Sequence, residues 1–143
     1  MMPNLIDNFE DEFHFLSNFY YCKVTYEGIL YPSSEHAYQA AKSTINEDRM
    51  SVKYAGSPAQ AKQRGRHIKM RPDWDDVKLG VMEDILRIKF GRPLLKEKLL
   101  LTKGFNIVEG NHWGDTYWGV CRGKGSNHLG QLLMKIREEI TSL

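Results

Sequence analysis

The chain has 143 residues, with 20 Lys and Arg against 18 Asp and Glu, and 41% of it is hydrophobic. That balance fits one globular domain spanning residues 1–143 and argues against a disordered chain, a disulfide-stapled miniprotein or, at a net charge of +2, a general nucleic-acid coat. No apolar run nears the roughly 18 residues of a membrane span, so no membrane partner is expected, and two cysteines without a secretory leader predict a cytoplasmic protein with reduced thiols. Short strands are predicted at Leu5–Phe9, then at Cys22–Tyr26 and Ile29–Tyr31, the last two joined by a tight Glu27-Gly28 turn. After Pro32 the pattern turns helical. Ser33 or Ser34 can cap a helix running to about Ser43. Helices follow at 47–54 and 58–64, the second opened by Ser57 as cap and Pro58 in the first turn.

The longest middle helix begins at Pro72-Asp73 and runs to about Phe90. Its Trp74, Val77, Val81, Ile85 and Ile88 recur at helical spacing and are expected to face the core. Gly91 stops it, a helix at 93–101 follows, and 106–109 reads as a short strand. In the last helix, about 127–140, Leu129, Leu132, Leu133, Ile136 and Ile140 form one apolar stripe. Mostly helix with a small sheet is an α+β architecture.

Charge is unevenly spread. Residues 1–40 hold one Lys and six acids, whereas 41–100 hold fourteen Lys and Arg against eight acids. The run from Lys62 to Arg71 contains no acid and could receive a phosphate, with Arg66 at its centre. A solvated surface loop would look the same by charge alone.

Two constellations carry chemistry. In SSEHAYQAAK, Glu35, Gln39 and Lys42 sit at i, i+4 and i+7, which places a carboxylate, an amide and an amine on one helix face. Such a stripe normally faces water. Here Ala37, Ala40 and Ala41 would let neighbouring backbone come close, so a partly enclosed stripe is possible. The second is the segment from Glu109 to Asn127, with Asp115, Trp113, Trp118 and five glycines. It reads as an ordered loop whose indoles could stack on a base or could simply lid the core. His14, His36, His67, His112 and His128 are scattered without metal-ligand spacing, and neither a metal nor another cofactor is expected.

The motifs FLSNFY (15–20), YPSSEHAYQAAK (31–42), DWDDVKLGVM (73–82), KF (89–90), IVEGNHWGDTYWG (107–119) and GKGSNHLGQLLMKIR (123–137) occur in this order. Together they resemble the YbiA-like, or NADAR (NAD and ADP-ribose associated), family over nearly the whole chain. The resemblance implies a single, mostly helical α+β domain and an enzyme that hydrolyses N-glycosidic bonds. Two activities are described in that family. One cleaves ribose 5-phosphate from early intermediates of riboflavin biosynthesis, and the other removes ADP-ribose from modified guanine in nucleic acid. The expected partner is therefore a phosphorylated ribosyl or ADP-ribosyl small molecule, or an ADP-ribosylated nucleic acid. A binding module that senses NAD or ADP-ribose without turnover is the rival of another class.

Carried over residue by residue, the resemblance makes Glu35, Lys42 and Asp115 catalytic. It assigns Asn18, Phe19, His36, Gln39, Trp74, Trp118, Gly119 and Asn127 to substrate binding or its support. Cleaving a C1′–N bond develops positive charge on the sugar and negative charge on the leaving amine, which a pair of carboxylates can serve. Lys42 has two possible roles. It could hold the 5′-phosphate as a cation, or attack C1′ of the ring-opened sugar as a neutral amine. The second requires a lowered pKa, and a neighbouring Glu35 carboxylate works against it.

Overall fold

The computed structural model describes residues 4–142. It is α+β and mostly helical, with three two-stranded sheets. The chain gathers into two compact units: residues 18–89 form one, and the segments before Asn18 and after Lys89 form the other.

The 18–89 unit begins with β1 (Tyr21–Tyr26) and β2 (Ile29–Ser33), an antiparallel hairpin. Glu27 and Gly28 both have positive φ, 48° and 82°, the left-handed turn whose twist matches a two-residue hairpin. Ser33 ends β2 and caps α1 (Ser34–Ala40), its Oγ accepting the His36 N–H at 3.1 Å. Every residue of α1 is buried. The helix is enclosed by α2 (Asn46–Lys53), α3 (Pro58–Arg64), α4 (Trp74–Lys89) and the hairpin. Ala37 and Ala40 have no exposed surface, so the small residues do admit close neighbours. Ser57 caps α3 through the Gln60 N–H, and Pro58 stands in its first turn.

On α4 the buried stripe is Trp74, Val81, Met82, Ile85, Leu86 and Lys89. The expectation for Ile88 is corrected: it is 39% exposed while Lys89 has no exposed surface. From Ile85, position 89 lies one step of four along the helix and stays on the inner face. The Lys89 ammonium lies 5.8 Å from the Tyr20 ring centre.

The other unit opens with β3 (Leu5–Ile6), which pairs in parallel with β4 (Asn106–Ile107). The strand expected to reach Phe9 stops at Ile6, and a 3-10 helix at Asp11–Leu16 follows instead. Phe15 meets Phe90 edge to face at 6.4 Å. After α5 (Pro93–Leu100), β4 leads into a loop that holds a second parallel pair, β5 (Gly110–Asn111) with β6 (Val120–Cys121). In α6 (His128–Thr141) Leu129, Leu132, Leu133 and Ile136 are buried as expected, and so is Arg137. Its guanidinium donates to the carbonyls of Thr102 at 2.7 Å and Phe105 at 2.8 Å, which satisfies the charge inside the fold. Neither Cys22 nor Cys121 is in a disulfide, and among the described residues no helix is long and apolar enough to cross a membrane.

Candidate functional site

The polar stripe of α1 is built from its cap inward. Asn18 is buried and ties down the first turn. Its carbonyl accepts the Glu35 N–H at 3.0 Å, and its Oδ1 accepts the Ser34 hydroxyl at 2.9 Å. Phe19, next in the chain, is half-buried. Glu35 is only 7% exposed, and Gln39 Nε2 donates to its Oε2 at 2.6 Å. That bond holds the carboxylate in one orientation along the helix. Gln39 Oε1 is the one buried side-chain oxygen or nitrogen among the described residues left without a hydrogen-bond partner. A buried acceptor in that condition is costly unless a ligand or ordered water donates to it.

The helix ends sooner than the sequence suggests, at Ala40, yet Lys42 keeps its place on the stripe. Ala41 remains in right-handed helical geometry, and the Lys42 N–H still donates to the Gln39 carbonyl at 3.2 Å. The Lys42 carbonyl accepts the Arg71 N–H at 2.7 Å, which draws the chain out of the helix. Burial lowers the pKa of the Lys42 amine. The Glu35 carboxylate raises it, whereas Arg66, Lys62 and Lys78 lower it further. Desolvation together with three opposing cations outweighs the single carboxylate. Arg66, exposed itself, thus acts on the same amine as the stripe.

Gly65 was not singled out by sequence. A Cβ there would overlap Gln39 Oε1 and lie 2.9 Å from its Cδ, so the glycine makes room for the amide that holds Glu35. Its signal, a lone glycine between two arginines, is visible only afterwards. Lys62 and Lys78 were likewise missed as neighbours of the amine, because nothing local joins α3 and α4 to Lys42.

His36 is corrected. It has no exposed surface; Nδ1 lies 2.7 Å from Ser33 Oγ, and Nε2 donates to the Ala55 carbonyl at 3.1 Å. Both ring nitrogens are spent inside the unit, so His36 locks α1 to the hairpin end and to the segment after α2. Desolvation lowers its pKa, and the bond to Ala55 opposes this only partly. A depressed pKa means that the unfolded chain takes up the proton first. The stabilisation is complete above the unfolded value near 6.5 and is lost as pH falls through the window below it. His36→Gln is expected to cost about 1–3 kcal/mol at pH 7.5. It should also flatten the decline in urea midpoint between pH 7.5 and pH 5, and equal declines in both proteins would remove this role. Trp74 is 4% exposed and lies 5.2 Å from the Tyr38 ring, packing α4 on α1.

The second constellation is assembled within the other unit. Asp115 Oδ1 accepts the N–H groups of Tyr117 at 3.1 Å and Trp118 at 2.9 Å, fixing the loop that bears the indole. Trp118 is half-buried and stands edge-on to Tyr117 at 4.8 Å, while Trp113 is 56% exposed. Asn111, which sequence reasoning missed, clasps the same loop. Its Oδ1 accepts the Asp115 N–H at 3.0 Å and its Nδ2 donates to the Asp115 carbonyl at 2.8 Å. Gly119 is buried where a Cβ would overlap both the carbonyl and the carboxylate of Glu109. Asn127 sits in left-handed geometry, φ 53°. Its Oδ1 accepts the Glu109 N–H at 2.9 Å and its Nδ2 donates to the Ile107 carbonyl at 3.0 Å. With both ends of the amide committed, Asn127 is a support for the loop.

Comparison with known proteins points the same way. The NADAR domain model matches residues 6–141. A protein named N-glycosidase YbiA from Escherichia coli (strain K12) is 36% identical over 147 residues, covering 98% of this chain and 91% of its own length. A riboflavin biosynthesis protein of Vibrio vulnificus is 41% identical over 135 residues, but the chain spans only 36% of that longer protein. The NMR structure of E. coli YbiA matches 99% of this chain with a TM-score of 0.85 at 35% identity.

Proposed function

The chain belongs to the NADAR family and is an N-glycosidase, and from that premise we propose that it hydrolyses the C1′–N bond joining a phosphorylated ribose to a base-like amine. Ribosylamino-pyrimidine 5′-phosphates of the riboflavin route are the proposed substrates, a choice supported by the name of the Vibrio vulnificus relative. The observation that carries the reading is the enclosed stripe of α1. It sets a carboxylate, an unpaired amide oxygen and an amine of lowered pKa along one helix face. A module that only senses its ligand has no need of a depressed lysine. The protein acts in the cytoplasm, which two thiols outside any disulfide support.

Lys42 is the proposed nucleophile. A ribosylamine opens to its acyclic imine. The neutral Lys42 amine adds to C1′, the substrate C–N bond breaks, and the amine departs with a proton. That leaves a lysine imine, whose addition of water releases the sugar aldehyde and restores Lys42. Glu35 carries the protons between the incoming and leaving nitrogens. In this reading Gln39 Oε1 accepts from a sugar hydroxyl, and Arg66 and Lys62 receive the 5′-phosphate.

The test is incubation of the protein with ribosylamino-pyrimidine 5′-phosphate and, separately, with an oligonucleotide bearing ADP-ribosyl-guanine. Release of the pyrimidine and ribose 5-phosphate, with little dependence on salt, is expected. Cleavage of the oligonucleotide alone, falling steeply with salt, would move the substrate to nucleic acid.

A further inference from the structure

The hairpin and the end of α2 enclose a groove that the proposed reaction does not use. Tyr21, Lys23, Leu30, Tyr31, Lys53 and Tyr54 line about 490 Å³, with Pro32 and Cys22 completing the wall. Its volume lies in the range of small-ligand sites, roughly 300–1,000 Å³. A stable protein interface needs about 20–30 residues on each side, far more than this groove offers. The lining is therefore scaled to a small molecule.

Its chemistry is selective. Two exposed phenol rings, Tyr21 and Tyr54 at 62% and 71% exposure, stand with a leucine and a proline in the lining, while Tyr31 is buried beneath them. Two large aromatics left in water beside one concavity offer faces on which a planar ring can stack. The charged groups of the lining are lysines, with no Asp or Glu among them. Lys53 Nζ stands 5.4 Å from the Tyr54 ring centre, so a cation already lies over one aromatic face.

We infer that this groove binds a small planar aromatic anion, its rings laid on the tyrosines and its acidic group met by Lys23 and Lys53. None of the lining residues belongs to the α1 stripe, so the inference does not depend on the glycosidase reading.

Two fluorescent probes separate the two parts of the claim. 1-Anilinonaphthalene-8-sulfonate carries the anion, and N-phenyl-1-naphthylamine has the same rings without it. The sulfonate probe is expected to saturate one site and to bind about tenfold tighter than the neutral one. The double variant Lys23→Gln, Lys53→Gln should weaken the sulfonate probe about tenfold and leave the neutral probe unchanged. Tyr54→Ala, at an exposed position that folding does not need, should weaken both while glycosidase turnover stays at the wild-type level. Equal binding of the two probes, or sulfonate binding unchanged in these variants, would overturn the inference. So would sedimentation showing a dimer that Tyr54→Ala dissociates, because a second copy would then fill the groove.

Discussion

Lys42→Ala is expected to abolish a covalent sugar adduct and to lower turnover at least about a hundredfold. Wild-type protein turning over the ribosylamine phosphate should be trapped by borohydride, adding the mass of a reduced pentose phosphate to one lysine. The argument rests on which charge effect wins at this amine. Glu35 alone would keep it protonated and poor as a nucleophile. Burial, with Arg66, Lys62 and Lys78, pushes the other way and prevails. Lys42→Arg separates the two roles open to this residue: it preserves a cation for phosphate but cannot form an imine. It should bind the phosphorylated sugar with nearly normal affinity and remain inactive. Glu35→Gln should slow turnover by a similar factor while leaving some trapped adduct. Efficient turnover without any trapped adduct would instead make Lys42 an electrostatic partner of the phosphate.

Gly119→Ala is expected to be the most damaging single methyl group in the loop. The new Cβ would overlap the carbonyl and carboxylate of Glu109 and lie 2.8 Å from Asn111 Nδ2. Backbone cannot yield as a side-chain tip can, so at least about 1–3 kcal/mol of stability should be lost. The strain should spread through the loop, since Asn111 clasps Asp115 and Asp115 holds the Trp118 amide. Gly80→Ala is the control. It lies in α4 with nothing within 4 Å of its added Cβ, and it should stabilise the protein by about 0.5–1 kcal/mol. Urea midpoints and tryptophan emission measure both variants, and equal midpoints would refute this account of the loop.

What the sequence made legible was what local chemistry determines. Glu27-Gly28 announced its turn, Ser33 and Ser57 their caps, and Glu35, Gln39 and Lys42 their common face, because each depends on residues a few positions apart. What it hid depends on distant partners. The end of α1 is set by Arg71 bonding to Lys42, and the burial of His36 by the Ala55 carbonyl. β3 is short because it pairs only with the two residues of β4. The resemblance nominated His36 and Asn127 for substrate binding or its support; the structure adds the hydrogen bonds on both ends of each side chain, which no local pattern announces. Lys89 shows the limit of periodicity, which places apolar residues well but says nothing of a lysine drawn inside.

The parallel pairing of β3 with β4 also has a consequence for the order of events during synthesis. Leu5 and Ile6 leave the ribosome before the residues they pair with, Asn106 and Ile107, which emerge some hundred positions later. At about 5–20 residues per second that interval lasts several seconds or more. All of 18–89 has by then been made, so the nascent chain can complete the unit containing Glu35 and Lys42 while Leu5 and Ile6 still wait for a strand to join.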